Sequence, residues 1–445
     1  MSQDSHNLDI LRSIAVLFVL FDHTIKFFGF ERNAVFDINW LGRLGVAFFF
    51  VHTSFVLMLS LERSRLKGWR LPVNFYVRRF FRLFPLSCFV VLFIWLAGIP
   101  QYRIHPHIFY GTAITPKVLL SNLTLTQNFF GGGVNILGQL WSLPIELDMY
   151  VLLPLLFIAA RTWPRAFLWT SWPLAVIASF CCSHVPGLWR FNFLLFAPCF
   201  VPGVVAYILS SRLKPKVSSW MWPVYLLTLA ALFSFSSHRS FWLAGIVAIC
   251  IGAATPLFKE QTNKFVNTVA YTIAKYSYGI YLGHTFCIWA AFYGLHKFPW
   301  YLQGLAFVAL LCAVPYFMFV IIEQPGINIG KRVAQRLMKP WFPQRQQLDA
   351  NLGLGTGAGV QAVIFVSQKQ FPVLGSEENG EVAPEIPAQA ELEQGTRHAL
   401  PDRGDFRPQV PLKSRPANLR PRNFSPRRTA LTAISNSSCA SSLTR

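Results

Sequence analysis

The sequence predicts an all-α polytopic membrane protein of about ten transmembrane helices followed by a disordered C-terminal tail. Three observations carry this. Of 445 residues, 53% are hydrophobic and 13% charged, against the quarter of charged residues usual in soluble domains. Apolar runs of about 20 residues, the length that crosses roughly 30 Å of hydrocarbon as a helix, recur between residues 8 and 322. The 40 Lys+Arg against 19 Asp+Glu, a formal charge of +21, fall largely in the loops between those runs. Membrane topology accounts for them, so the expected partner is a lipid bilayer and not a nucleic acid.

The expected spans lie near residues 8–30, 44–61, 83–99, 142–160, 166–183, 190–210, 220–236, 241–258, 273–294 and 301–322. The first is too long for a cleaved signal and lacks a small-residue cleavage site, so it reads as a retained helix. The third follows an arginine-rich stretch, Phe75 to Pro85, read as a cytoplasmic loop, and the fourth opens on Trp141-Ser142-Leu143-Pro144. Basic residues crowd the loops at 63–82, 161–165, 212–216, 259–264 and 331–339 and are sparse in the others. The positive-inside rule therefore puts both termini in the cytoplasm, with the 100–140 loop outside a cytoplasmic (inner) membrane. Seven cysteines lie in or beside apolar segments without a C-x-x-C pair and read as small hydrophobes. From about residue 342 the composition turns to Pro, Ser, Gly, Gln, Glu and Arg, giving a transmembrane domain at 1–341 and a disordered cytoplasmic tail at 342–445.

Ten acids occur in residues 1 to 340, mostly in loops, which singles out Asp22, Glu146 and Asp148 at or inside helices. Arg12, His23, His52 and His284 join them, since ionisable side chains within spans mark polar cavities or partners. Arg12 and His23 are eleven residues apart, about three turns and ~16 Å of rise, and share one helix face. That stripe suits a long thin ligand with an anionic end, or else a snorkelling arginine and a histidine bonded across helices. Asp22 points about 100° away from His23, toward another helix. Arg79 and Arg82, at i and i+3, form either a bidentate phosphate site or a topology signal. Glu146 at a helix start is either a dipole-favoured cap or a contact for a hydroxyl acceptor. His105 and His107 have no further ligands nearby, and no metal is expected.

Five motifs occur in order along these spans: Arg12 with His23; Arg79 with Arg82; Trp141-Ser142-Leu143 with Glu146 and Tyr150; Ser277-Tyr278 with Tyr281-Leu282 and His284; and Glu323-Gln324-Pro325. Together they resemble the membrane-bound acyltransferase 3 family, which includes O-antigen and exopolysaccharide O-acetylases, over roughly residues 8 to 340. In one place the chain departs. Where the family has Ser-Gly-Phe, this sequence has Thr53-Ser54-Phe55 after His52, which keeps a hydroxyl but loses the glycine of a close helix contact.

The resemblance implies an integral membrane O-acyltransferase. Its donor would be acyl-CoA, most simply acetyl-CoA, a substrate and not a tightly bound cofactor, with its phosphates on Arg12, Arg79 and Arg82. The acceptor would be a hydroxyl of a carbohydrate, glycolipid or lipid-linked oligosaccharide. Acyl transfer needs a base and a hold on the donor, and His23 is the candidate base or transient acyl carrier, with Glu146 as the catalytic carboxylate. Asp22, Thr53, Trp141, Tyr150, Tyr281 and His284 would support them by hydrogen bonds or packing. Two other readings fit the spans alone: a secondary transporter of a small polar solute, although no internal repeat is evident, and a non-catalytic membrane scaffold.

Overall fold

The computed structural model describes residues 5–29, 39–64, 66–99, 114–130, 134–185, 187–236 and 240–338. The expected disordered tail, together with His105 and His107, lies outside the described residues. The helices are α1 (His6–Phe27), α2 (Asn39–Ser64), α3 (Arg70–Leu96), α4 (Pro116–Leu123), α5 (Ser142–Thr162), α6 (Pro164–His184), α7 (Ala197–Ser210), α8 (Met221–Phe235), α9 (Phe241–Ala254), α10 (Lys264–Ile288), α11 (Trp300–Met318) and α12 (Gln324–Met338). Among the described residues there is no β-strand, only an isolated bridge between Val217 and Phe258.

The protein is a multi-pass membrane protein. Each of the ten expected spans coincides with a helix, leaving α4 and α12 as additions. Among the described residues, six helical stretches are long and apolar enough to cross a bilayer, and α8 and α9 form shorter apolar helices. The polar content of α1, with Asp9, Arg12, Asp22 and Lys26, and of α10, with its run of Tyr, Ser, Gly and His, separates them from that apolar set. These two helices pack side by side, with α2 on the other flank of α1.

One boundary needs correcting. The arginine-rich stretch expected to be a loop is helix, because α3 starts at Arg70 and runs unbroken past Pro85. Leu71, Phe75, Leu83 and Leu86 are buried along it, so helical periodicity carries Arg79 and Arg82 inward with them. Likewise Glu146 is not a capping residue: α5 begins at Ser142, placing the carboxylate a full turn inside.

Helix α12 is held by a stripe of small residues, Gly326, Gly330 and Ala334, all buried and four apart. A Cβ on Gly326 would lie 2.7 Å from the carbonyl oxygen of Phe81 in α3. That carbonyl is the one Pro85, without an N–H, cannot serve in the helix. Close approach likewise survives at Thr53-Ser54, with the glycine on the partner helix. Ser54 Oγ donates to the Phe200 carbonyl at 2.7 Å, and any Cβ on Gly203 of α7 would overlap Ser54 Oγ. Small residues and interhelical hydrogen bonds are the usual means of helix association without a hydrophobic drive.

The loops sort to one face. Ser5 and Asn7 bond to Glu260 and Lys259, Trp222 donates to the Asn7 carbonyl, and Val217 bridges to Phe258. Glu62 at the end of α2 accepts from Arg161 and Tyr207, which end α5 and α7.

Candidate active site

Helices α1, α2, α3, α5 and α10 line a cavity of about 130 Å³. Arg12 enters from α1, Arg79 and Arg82 from α3, Glu146 and Tyr150 from α5, and Thr53 from α2. The Arg12 Nε donates to Ser277 Oγ at 2.6 Å, and that hydroxyl donates its own proton to the Ala274 carbonyl at 2.7 Å. Arg82 lies 3.9 Å from Glu323, which is 1% exposed and reached from the junction of α11 and α12. Arg79 sits against the ring of Phe75, and its Nε is buried without a partner. Tyr150 donates its hydroxyl proton to Glu146. Three guanidiniums therefore face two carboxylates, and the surplus positive charge with fork-shaped donors suits an anionic group such as a phosphate.

His23 does not line this cavity. It lies ~16 Å further along α1 from Arg12, beside His284 of α10, with ring centroids 4.9 Å apart. The two rings are held alike: His23 Nδ1 is 2.9 Å from the Val19 carbonyl and His284 Nδ1 is 3.0 Å from that of Ile280. A carbonyl only accepts, so Nδ1 carries the proton in each ring and Nε2 is left as the lone-pair nitrogen. The Nε2 of His284 is buried with no partner, while the His23 side chain is 26% exposed. Asp22 pairs with Lys26 at 2.6 Å and presses on Gly42 of α2, lying 3.9 Å from the His23 ring.

Tyr281 stands between the two groups. It lines the cavity, and its ring centroid is 6.4 Å from that of His284. Its hydroxyl donates to the Gln139 carbonyl at 2.7 Å and so accepts from Ser142 Oγ at 2.6 Å, tying α10 to the turn that opens α5. Trp141, in that turn, packs on Phe196 and does not line the cavity.

The candidate residues thus divide into an anion-binding group of Arg12, Arg79, Arg82, Glu146, Tyr150 and Thr53, and a histidine group of His23 and His284 with Asp22 alongside. Four cavity neighbours appeared in the sequence only as an ionisable side chain or as motif residues, without a place in the anion site: His52, Ser277, Tyr278 and Glu323. His52 was visible as a histidine in an apolar helix and Glu323 as an acid in a motif. Only the packing of α2, α3 and α12 shows what they face.

Residues 5–322 match the acyltransferase 3 model, an acyltransferase domain. The chain belongs to the acyltransferase 3 family. This enzyme is therefore an acyltransferase, and the motifs that resembled the family lie on the helices that build the cavity and the histidine pair. Nodulation protein 10 of Rhizobium leguminosarum bv. viciae is similar to it, with 27% identity over 375 residues, covering 75% of this chain and 96% of the relative. No solved structure matches the chain.

Proposed function

We propose that this acyltransferase takes a short acyl group, most simply acetyl, from cytoplasmic acyl-CoA and passes it to a hydroxyl of a cell-surface carbohydrate, glycolipid or lipid-linked oligosaccharide. The observation that carries this is the placement of the three-guanidinium cavity and the histidine pair ~16 Å apart along the same face of α1. A donor with phosphates at one end and a thioester at the other reaches both from one side.

In this reading Arg12, Arg79 and Arg82 hold the donor phosphates. Glu146, bonded to Tyr150, offsets part of the guanidinium charge and fixes their orientation. His23 Nε2 takes the proton of the acceptor hydroxyl while its oxygen attacks the thioester carbonyl. The tetrahedral oxyanion collapses, the C–S bond breaks, and the imidazolium returns the proton to the leaving thiolate. In the two-step form, His23 Nε2 attacks the thioester carbonyl and the C–S bond breaks to release the thiolate. The acceptor hydroxyl oxygen then attacks the acyl-imidazolium, the C–N bond breaks to free the imidazole, and the hydroxyl proton goes to the thiolate. In this reading both termini lie in the cytoplasm and the histidine pair faces the outer leaflet of the inner membrane, a topology supported by the basic residues of the loops on one side. The catalytic domain ends near residue 341.

Comparing O-acetyl content of surface glycans in cells with and without the protein tests the reading. Loss of a specific O-acetyl group supports it. An unchanged glycan profile with altered uptake of a small polar solute would favour the transporter instead.

A further inference from the structure

His52, one residue before Thr53 on α2, has no task in the mechanism above. It is 5% exposed, lines the cavity that holds Arg12, Arg79 and Arg82, and its Nδ1 is buried without a hydrogen-bond partner. The contrast with His23 and His284 is informative. Both of those rings spend Nδ1 on a helix carbonyl one turn back, whereas His52 leaves that bond unmade. A histidine kept only to tie helices together would hydrogen-bond across them, as Ser54, two residues on, does to Phe200. Buried polar atoms are nearly always satisfied, so an unpartnered nitrogen on a buried side chain that lines a cavity calls for a partner that arrives with a ligand. The uncharged imidazole offers one N–H and one lone pair. It is thus matched to amide or carbonyl groups, while the neighbouring guanidiniums are matched to phosphate.

We propose that His52 is a donor-specificity residue that hydrogen-bonds an amide carbonyl on the arm of the acyl donor, inside the arginine-lined cavity. This rests on the acyl-CoA reading of the site and adds to it a contact that is independent of the phosphates. Thr53, on the same wall, brings its hydroxyl to the same cavity.

The test compares acyl-CoA with a phosphate-free N-acylcysteamine thioester as donors for the full-length protein in lipid vesicles. His52→Leu should raise KM about 2- to 10-fold for both donors, the range of one neutral hydrogen bond, with kcat and the acceptor KM little changed. His52→Gln, which retains a donor and an acceptor, should recover most of the loss. Arg82→Ala should raise KM for acyl-CoA alone. If His52→Leu is lost from the membrane, His52→Phe, a planar ring without nitrogens, makes the same comparison. Wild-type KM values for both donors in the apolar variant would overturn the assignment while leaving the acyl-CoA reading intact. Absence of saturable acyl-CoA binding in the wild type would overturn both.

Discussion

Replacing His23 separates a chemical role from a packing role, because the structure assigns its two nitrogens different duties. The Nδ1 proton is committed to the Val19 carbonyl at 2.9 Å, a bond worth about 0.5 to 1.5 kcal/mol of stability. The Nε2 lone pair is the proposed proton acceptor, and a general base contributes typically about 10² to 10⁴ in rate. At about 1.36 kcal/mol per tenfold, that is about 2.7 to 5.5 kcal/mol of barrier. His23→Ala should therefore cost far more activity than stability. His23→Gln, able to bond the carbonyl but not to take the proton, should be as inactive as the alanine variant and closer to wild type in melting temperature. The assay is purified protein in vesicles, scoring thiol release from acyl-CoA and acylation of the acceptor alongside a thermal melt. Residual transfer above about a tenth of wild type in either variant would refute the reasoning. His284, whose ring lies 4.9 Å away with a buried, unpartnered Nε2, would then be the base to test.

Arg79→Ala and Arg82→Ala should each weaken acyl-CoA binding by about 1.5 to 3 kcal/mol, a loss of about 10- to 150-fold, with lysine rescuing only part because the fork is lost. Equal donor affinity in wild type and the double variant would reduce the pair to a topology signal. Gly203→Ala should destabilise the protein by about 1 to 3 kcal/mol through overlap with Ser54 Oγ and with the backbone of α2 at Val51 and Phe55, and Ser54→Gly in the same chain should recover only part of the melting temperature because the backbone clash remains. An unchanged melt in the single variant would show that α2 and α7 are not in close contact there. Reporter fusions after residues 65, 120 and 215 should read cytoplasm, outside and cytoplasm. The reverse pattern would place the arginines toward the wrong pool of donor.

The spans were legible because twenty apolar residues have few other uses, and the ends were less so. The start of α3 was hidden because Arg78, Arg79 and Arg82 look like a solvated loop by composition, although Phe75 and Leu83 keep the helical period through them. Helix α12 was hidden because its binding face is glycine and alanine, which carry no hydropathy signal, while Lys331, Arg332 and Arg336 read as a cytoplasmic flank. In the site, the Arg12–His23 stripe follows from helix geometry alone. The pairing of His23 with His284 and of Arg82 with Glu323 does not, since each joins helices hundreds of residues apart in sequence. The division into two groups, with Tyr281 between them, is a property of packing that no spacing along the chain encodes.

The docking of α12 on α3 bears on how short the chain can be cut. The match to the family model ends at residue 322, one position before Glu323, the carboxylate that faces Arg82. A gene trimmed at that border would still encode every apolar span. It would lose the charge partner of Arg82 and leave the Phe81 carbonyl, which Pro85 cannot serve, open where Gly326 now covers it. The smallest version worth expressing for crystallisation or directed evolution therefore runs to Met338, past the point where similarity would place the border.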